Sequence, residues 1–175
     1  VQSGTATAVP STQLFASLLR YDEGWEPQPY LAESWEISED GLTATFTLVE
    51  GATFHDGTTL DADDVVFSLT RATAEGSQNA QQGLFEPIES VEAVDPTTVR
   101  ITLKRPTGDF LFNMGWGDAV IVAPESVETN GTNPVGTGPF RFVDWAEGDS
   151  VELARNEAYW GEPVALERAT FKFIS

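Results

Sequence analysis

Between Thr43 and Leu48 the side chains alternate without a break. Thr43, Thr45 and Thr47 lie on one side, and Ala44, Phe46 and Leu48 on the other. A repeat of two belongs to a half-buried strand, because successive side chains leave a pleated backbone on opposite faces. Glu39-Asp40-Gly41 precedes it as a tight turn in which glycine can take positive φ, and Trp35 to Ile37 reads as the partner strand, so the two form a hairpin. A second hairpin is expected from Glu89–Val94 and Thr97–Leu103 around Asp95-Pro96, with Val91 and Ala93 facing Val99, Ile101 and Leu103. A third joins Phe140–Trp145 to Ser150–Ala154 around Glu147-Gly148, and Thr170–Ile174 reads as a last strand.

Helical signals are fewer. Asp61 can cap a helix whose first turn holds Asp63 and Asp64, where the helix dipole favours negative charge. Val65, Val66, Leu69 and Ala72 then recur at helical spacing, and Gly76 stops the run. Ser11 or Thr12 is expected to cap a short helix through Arg20, burying Leu14, Leu18 and Leu19. Asp109–Met114 suits one or two helical turns, and Pro124 suits the start of a helix over Glu125–Thr129. Ala119–Ala123 is a continuous apolar run, expected as a buried strand, while Glu75–Gly83 is polar and reads as a surface loop. Asn130–Pro134 is the best linker candidate, and no internal repeat is apparent. The fold class that follows is mixed α/β, of the α+β kind, with strands dominant.

Composition removes several functions. The chain has 175 residues, 41% of them apolar, which is enough to bury a core. Its 28 acids stand against 9 bases, for a net charge of −19, so it has no basic stripe for nucleic acid phosphates or an acidic membrane. The charge suits a well-solvated surface and is also what adaptation to high salt looks like, Lys being nearly absent. Without cysteine there is neither a disulfide scaffold nor a thiolate metal site. No apolar run approaches the ~20 residues needed to span a bilayer; no signal peptide is visible in a chain that opens at Val1 without Met, as a mature or trimmed product would. The last apolar strand runs to Ser175 without a capping element, so a portion of something longer is expected.

Each candidate for chemistry has a plainer explanation. Gly136-Thr137-Gly138-Pro139-Phe140 resembles a phosphate loop only in its glycines, for it has neither a Lys nor a following helix. A tight crossing between two parts of the fold suits it better. His55, the only histidine, lacks the second His or Cys that a transition metal needs and reads as a turn residue. Asp61, Asp63 and Asp64 lack calcium-loop spacing and read as helix capping. Asp40, Glu50 and Asp56 offer no fixed carboxylate separation for glycoside chemistry, and no nucleophile motif occurs. Catalytic residues, metal ligands and cofactors are therefore assigned to none. Trp35, Trp145, Tyr159 and Trp160 are assigned to core packing, and Arg155-Asn156 to tying a turn to the sheet. Asn113-Met114-Gly115-Trp116-Gly117-Asp118 is the most suggestive stretch. Its glycines let backbone approach another body closely and Trp116 offers a large flat face, so it reads either as an ordinary core Trp or as the wall of a ligand cleft.

Several spaced motifs point one way together. They are Leu31-Ala32-Glu33-Ser34-Trp35, Asp40-Gly41, Phe54-His55-Asp56-Gly57, Ala62-Asp63-Asp64-Val65-Val66-Phe67, the Gly136–Phe140 loop and Arg155-Asn156-Glu157-Ala158-Tyr159-Trp160. In this order, from about Leu14 onward, they resemble the extracellular solute-binding proteins of the peptide/nickel class, the family 5 receptors of ABC importers. The resemblance implies part of one lobe of a two-lobed, type II periplasmic-binding-protein-like clamshell with an inserted β-rich subdomain. The insert would be Glu23–Asn133, with Val1–Asp22 and Pro134–Ser175 belonging to the first lobe proper and the second lobe lying beyond this chain. By the same resemblance, Ser3, Thr5 and Thr7 near the start, and Asn113, Trp116, Gly117 and Asp118 ahead of the Ala119 run, would line the ligand cleft. One departure is Val49-Glu50, where the family often has an Arg, at the cost of a surface ion pair. The implied activity is binding a peptide or other small solute and delivering it to ABC permease subunits. The intact protein is expected to be a monomer, periplasmic or extracellular, either free or lipid-anchored. A ligand-sensing module of a regulatory protein with the same fold is the alternative, and a hydrolase is disfavoured by the missing nucleophile.

Overall fold

In the computed structural model, residues 5–173 are described. Helix α1 (Thr5–Leu14) is followed by a short hairpin, β1 (Leu19–Tyr21) against β2 (Pro27–Pro29). Strands β3 (Ala32–Ile37) and β4 (Thr43–Leu48) pair next, then helix α2 (Ala62–Thr73), a 3-10 turn (Gln82–Phe85), β5 (Ile88–Asp95) and β6 (Thr98–Leu103). These four strands form one antiparallel sheet in the order β3-β4-β6-β5. A short helix α3 (Phe110–Asn113) leads to a second antiparallel sheet, β7 (Phe140–Ala146), β8 (Ser150–Arg155) and β9 (Arg168–Lys172), in that order.

The three hairpins form as the alternation requires. Ala44, Phe46 and Leu48 are fully buried; Ala44 and Phe46 pair with strands on both sides and Leu48 with Ala32 of β3. Val91 lies opposite Ile101 and Ala93 opposite Val99, and Gly41 takes φ 70° in the β3–β4 turn. Helix α2 lays Val65, Leu69 and Ala72 against β5 and β6, closing the larger core. A smaller core of Leu14, Phe15, Phe140 and Leu153 sits between α1 and the second sheet, flanked by half-buried Val120, Val122, Phe142, Val151 and Phe171.

Several expected boundaries move. The first helix spans Thr5–Leu14, so Ser11 and Thr12 lie inside it and do not cap it, and it ends at Leu14 instead of reaching Arg20 because the next residues find strand-like partners. Ala32 N–H donates to Leu18 O at 2.9 Å, and Leu19 N–H to Met114 O at 3.3 Å. Leu18 and Leu19 are buried as expected, on an extended segment. The Ala119–Ala123 run buries Ala119, Ile121 and Ala123 but makes only an isolated bridge, Val120 to Ser17. A side chain takes the place of a neighbouring strand: Ser68 Oγ accepts from Val122 N–H at 2.9 Å and donates to Val122 O at 3.0 Å. Glu125–Thr129 forms successive turns instead of a helix, with the Ser126 and Thr129 hydroxyls bonded to carbonyls three residues back. Helix α2 stops at Thr73, before Gly76, and β9 covers Arg168–Lys172, so Ile174 lies outside the described residues. Trp145 is 47% exposed and is no core residue, whereas Trp35 and Trp160 pack against the larger core.

Candidate functional site

The Gly136–Gly138 loop is what brings the chain's first and last described segments together. The final carbonyls of α1 have no helical partner, and Gly138 N–H donates to Leu14 O at 2.8 Å. A Cβ on Gly136 would stand 2.1 Å from Leu14 O, and one on Gly138 2.4 Å from Gln13 O, so both positions require glycine. His55 clamps the same loop with both ring nitrogens. Nδ1 accepts from Gly136 N–H at 3.2 Å and Nε2–H donates to Gly138 O at 3.1 Å, which defines a neutral ring. Burial holds the imidazole below its usual pKa, Arg141 adds to the effect, and the Gly138 carbonyl and Asp56 work against it. Asn156 Nδ2 donates to Gly138 O at 3.2 Å, and Trp160 Nε1 to Thr137 O at 2.8 Å. The N–H groups of Gly136 and Gly138 are thus spent within the protein, as a structural crossing demands and a phosphate cradle does not.

The crossing sets α1 beside the segment after α3. A Cβ on Gly117 would lie 3.5 Å from the Thr12 methyl. Pro10, Ser11 and Leu14 of α1 share an open cavity of about 1300 Å³ with Gly117, Asp118 and Val120, walled on the far side by Phe142, Trp145 and Val151 of the second sheet. Asp118 lines this space, and its backbone carbonyl accepts from Asn79 Nδ2 at 2.9 Å. Burial raises the pKa of the Asp118 carboxyl. Asn113 is buried at the end of α3, its N–H bonded to Asp109 O at 2.9 Å, and Trp116 is half-buried. Thr5 and Thr7 fall on α1; Ser3 lies outside the described residues. Among the described residues, no group of three or more His, Cys, Asp or Glu converges as metal ligands would.

One feature escapes the sequence motifs. Trp116 stands 5.9 Å from Phe112, Phe112 4.7 Å from Tyr21, and Tyr21 5.6 Å from Trp25, centroid to centroid. These four rings make a continuous aromatic wall. Its midpoint is locked: the Tyr21 hydroxyl donates to Phe112 O, its ring touches the Gly115 backbone closely, and burial pushes its pKa up to about 12. Tyr21 and Trp25 belong to no repeating pattern, so only Gly115, where a Cβ would sit 3.0 Å from the Tyr21 ring, hinted at the approach.

The family model for "Bacterial extracellular solute-binding proteins, family 5 Middle" matches residues 26–175. The chain is 38% identical to a glutathione-binding protein, GsiB, of Pectobacterium atrosepticum, over 83% of this chain and 29% of that protein. It superposes with TM-score 0.91 on AgaA of A. tumefaciens R10 in complex with agropinic acid, at 30% identity, covering 99% of this chain and 36% of the other. For DppA of Helicobacter pylori in complex with the peptide STSA, the TM-score is 0.88 at 29% identity, covering 99% and 39%. The chain therefore spans about a third of the length of the proteins it matches. Extended over nearly all of its residues, the match in sequence and in fold places this chain among the bacterial extracellular solute-binding proteins of family 5.

Proposed function

We propose that this chain forms one wall of the ligand cleft of an extracytoplasmic solute receptor that serves an ABC importer. The solute is a peptide or a similarly small polar molecule. In this reading Ser3, Thr5 and Thr7 face the cleft from the chain's beginning, Asn113 from the end of α3, and Trp116, Gly117 and Asp118 from the loop after it. The observation that carries the reading is the crossing at Gly136–Gly138. It seats α1 against the Gly117 loop beside an open cavity, in a fold shared with proteins solved with agropinic acid and a peptide bound. Residues 1–22 and 134–175 belong to the lobe proper and residues 23–133 to its insert. The opposite wall comes from a second lobe outside this chain, and closure of the two desolvates the solute's polar groups. The loaded receptor, a monomer outside the cytoplasm, free or lipid-anchored, then docks on membrane permease subunits. No bond in the solute is made or broken.

The test uses the full-length protein. Native mass spectrometry after purification without refolding identifies the co-purified solute, and calorimetry then compares wild type with Trp116→Ala. Loss of a cleft-wall Trp should weaken binding by at least about tenfold with little change in melting temperature. Unchanged affinity would remove Trp116 from the cleft, and a protein that carries and binds no solute would overturn the receptor reading.

A further inference from the structure

Four charged residues line the open cavity beside α1: Arg71, Glu75, Asp118 and Glu128. Arg71, Glu75 and Glu128 are exposed, and water screens them; Asp118 is half-buried. Burial disfavours the charge on its carboxyl and raises its pKa. A carboxylate so placed recovers what it lost in hydration only from a cation or from hydrogen-bond donors. Among the described residues no cation supplies this. The ion pairs Arg100–Glu92, Arg105–Glu86 and Arg155–Glu157 all lie off the cavity lining, and Arg71, the one base on it, makes none.

The peptide that carries this carboxylate is fixed in place. Asn79 Nδ2 donates to Asp118 O at 2.9 Å, and the N–H of buried Ala119 donates to Trp116 O at 2.8 Å. Asn79 is itself held in the loop after α2, where its Oδ1 accepts from Gln81 N–H at 2.9 Å and its N–H donates to Ser77 Oγ at 3.3 Å. We infer that the Asp118 carboxylate anchors a protonated amine or guanidinium of the solute, and that Asn79 is the residue that positions it. This rests on the receptor reading above and narrows its solute to one that bears a basic nitrogen. Hydrogen bonds between ionised partners are stronger than neutral ones, and partial burial strengthens the attraction further. The net charge of −19 favours the same choice, because its field draws cations toward the molecule.

The test uses the full-length protein and, as probe, the solute that native mass spectrometry identifies in it. That solute should contain a basic nitrogen. By calorimetry, Asp118→Asn should bind it about tenfold or more weakly, while the melting temperature holds or rises because an uncompensated charge is gone. Asn79→Ala should weaken binding about threefold or more in the wild-type background and have no effect in the Asp118→Asn background. A co-purified solute without a basic nitrogen overturns the cationic anchor and leaves the receptor reading standing. So does equal binding by wild type and Asp118→Asn. A loss on Asn79→Ala that persists in the Asp118→Asn background overturns the positioning role of Asn79. A marked fall in melting temperature on Asp118→Asn reassigns the carboxylate to structure, and a protein that carries and binds no solute overturns the anchor together with the receptor reading.

Discussion

A methyl group at Gly136 has nowhere to go. It would meet Leu14 O at 2.1 Å and the Phe15 ring at 2.8 Å, both in the smaller core. Gly136→Ala should therefore destabilise the protein by about 3 kcal/mol or more. Gly131→Ala, with nothing within 4 Å of the added carbon, should stay within about 0.5 kcal/mol. Urea titration of both variants checks the contrast. His55 is the second residue on which the crossing depends. Its pKa is lowered in the fold, so its contribution is complete above the ordinary histidine value and lost as pH falls through the folded one. Protonated Nδ1 would turn a donor toward Gly136 N–H. His55→Gln should be less stable than wild type at pH 7.5, with a gap that narrows by pH 5. A gap constant across that range would show that the ring's charge state does not matter to the crossing.

At the scale of elements, α2 begins with a full capping box: Asp61 accepts from Asp63 N–H at 2.9 Å, and Asp64 from Asp61 N–H at 3.0 Å. Burial, with Asp61, Glu125 and Asp63 nearby, raises Asp64 to about 6, against the Asp61 N–H bond that lowers it. The sign is opposite to that of His55. A carboxyl raised in the fold stabilises fully below its unfolded value and loses that contribution as pH climbs through about 6. Asp64→Asn keeps an oxygen for the Asp61 N–H and removes the charge. Its melting temperature should lack the decline that wild type shows between about pH 4 and 6, so the variant gains on wild type towards neutrality. Parallel curves would mean that Asp64 titrates unperturbed. Because His55 and Asp64 pull in opposite directions, differences between variant and wild type report each group better than the wild-type curve does.

On the scale of the whole molecule, the two cores are unequal. The larger is closed by α2 against the face of β4 that carries Ala44, Phe46 and Leu48. The smaller leaves Val120, Val122, Phe142 and Val151 half-buried beside the open cavity, with Val143 and Trp145 exposed nearby. A receptor that closes on its solute draws affinity from two walls, and this chain spans about a third of its relatives. The isolated 175-residue chain should accordingly bind the solute at least about 100-fold more weakly than the full-length protein, about 3 kcal/mol. Calorimetry on both measures this, and equal affinities would sink the two-wall mechanism.

What could be read from the residues is what local physics decides. The alternation of Ala44, Phe46 and Leu48, the cap at Asp61 and the turn at Gly41 are set within a few residues, and they formed as the pattern required. The spaced motifs pointed to the family that the comparisons show. The end of α1 at Leu14, the irregular Ala119–Ala123 segment held by Ser68, the exposure of Trp145 and the clamp of His55 were settled by partners far away in sequence. So was the aromatic wall, whose rings at positions 21, 25, 112 and 116 share no period. Backbone groups must find a hydrogen-bonding partner when buried, and which partner is within reach is a property of the packed chain, not of any stretch of it.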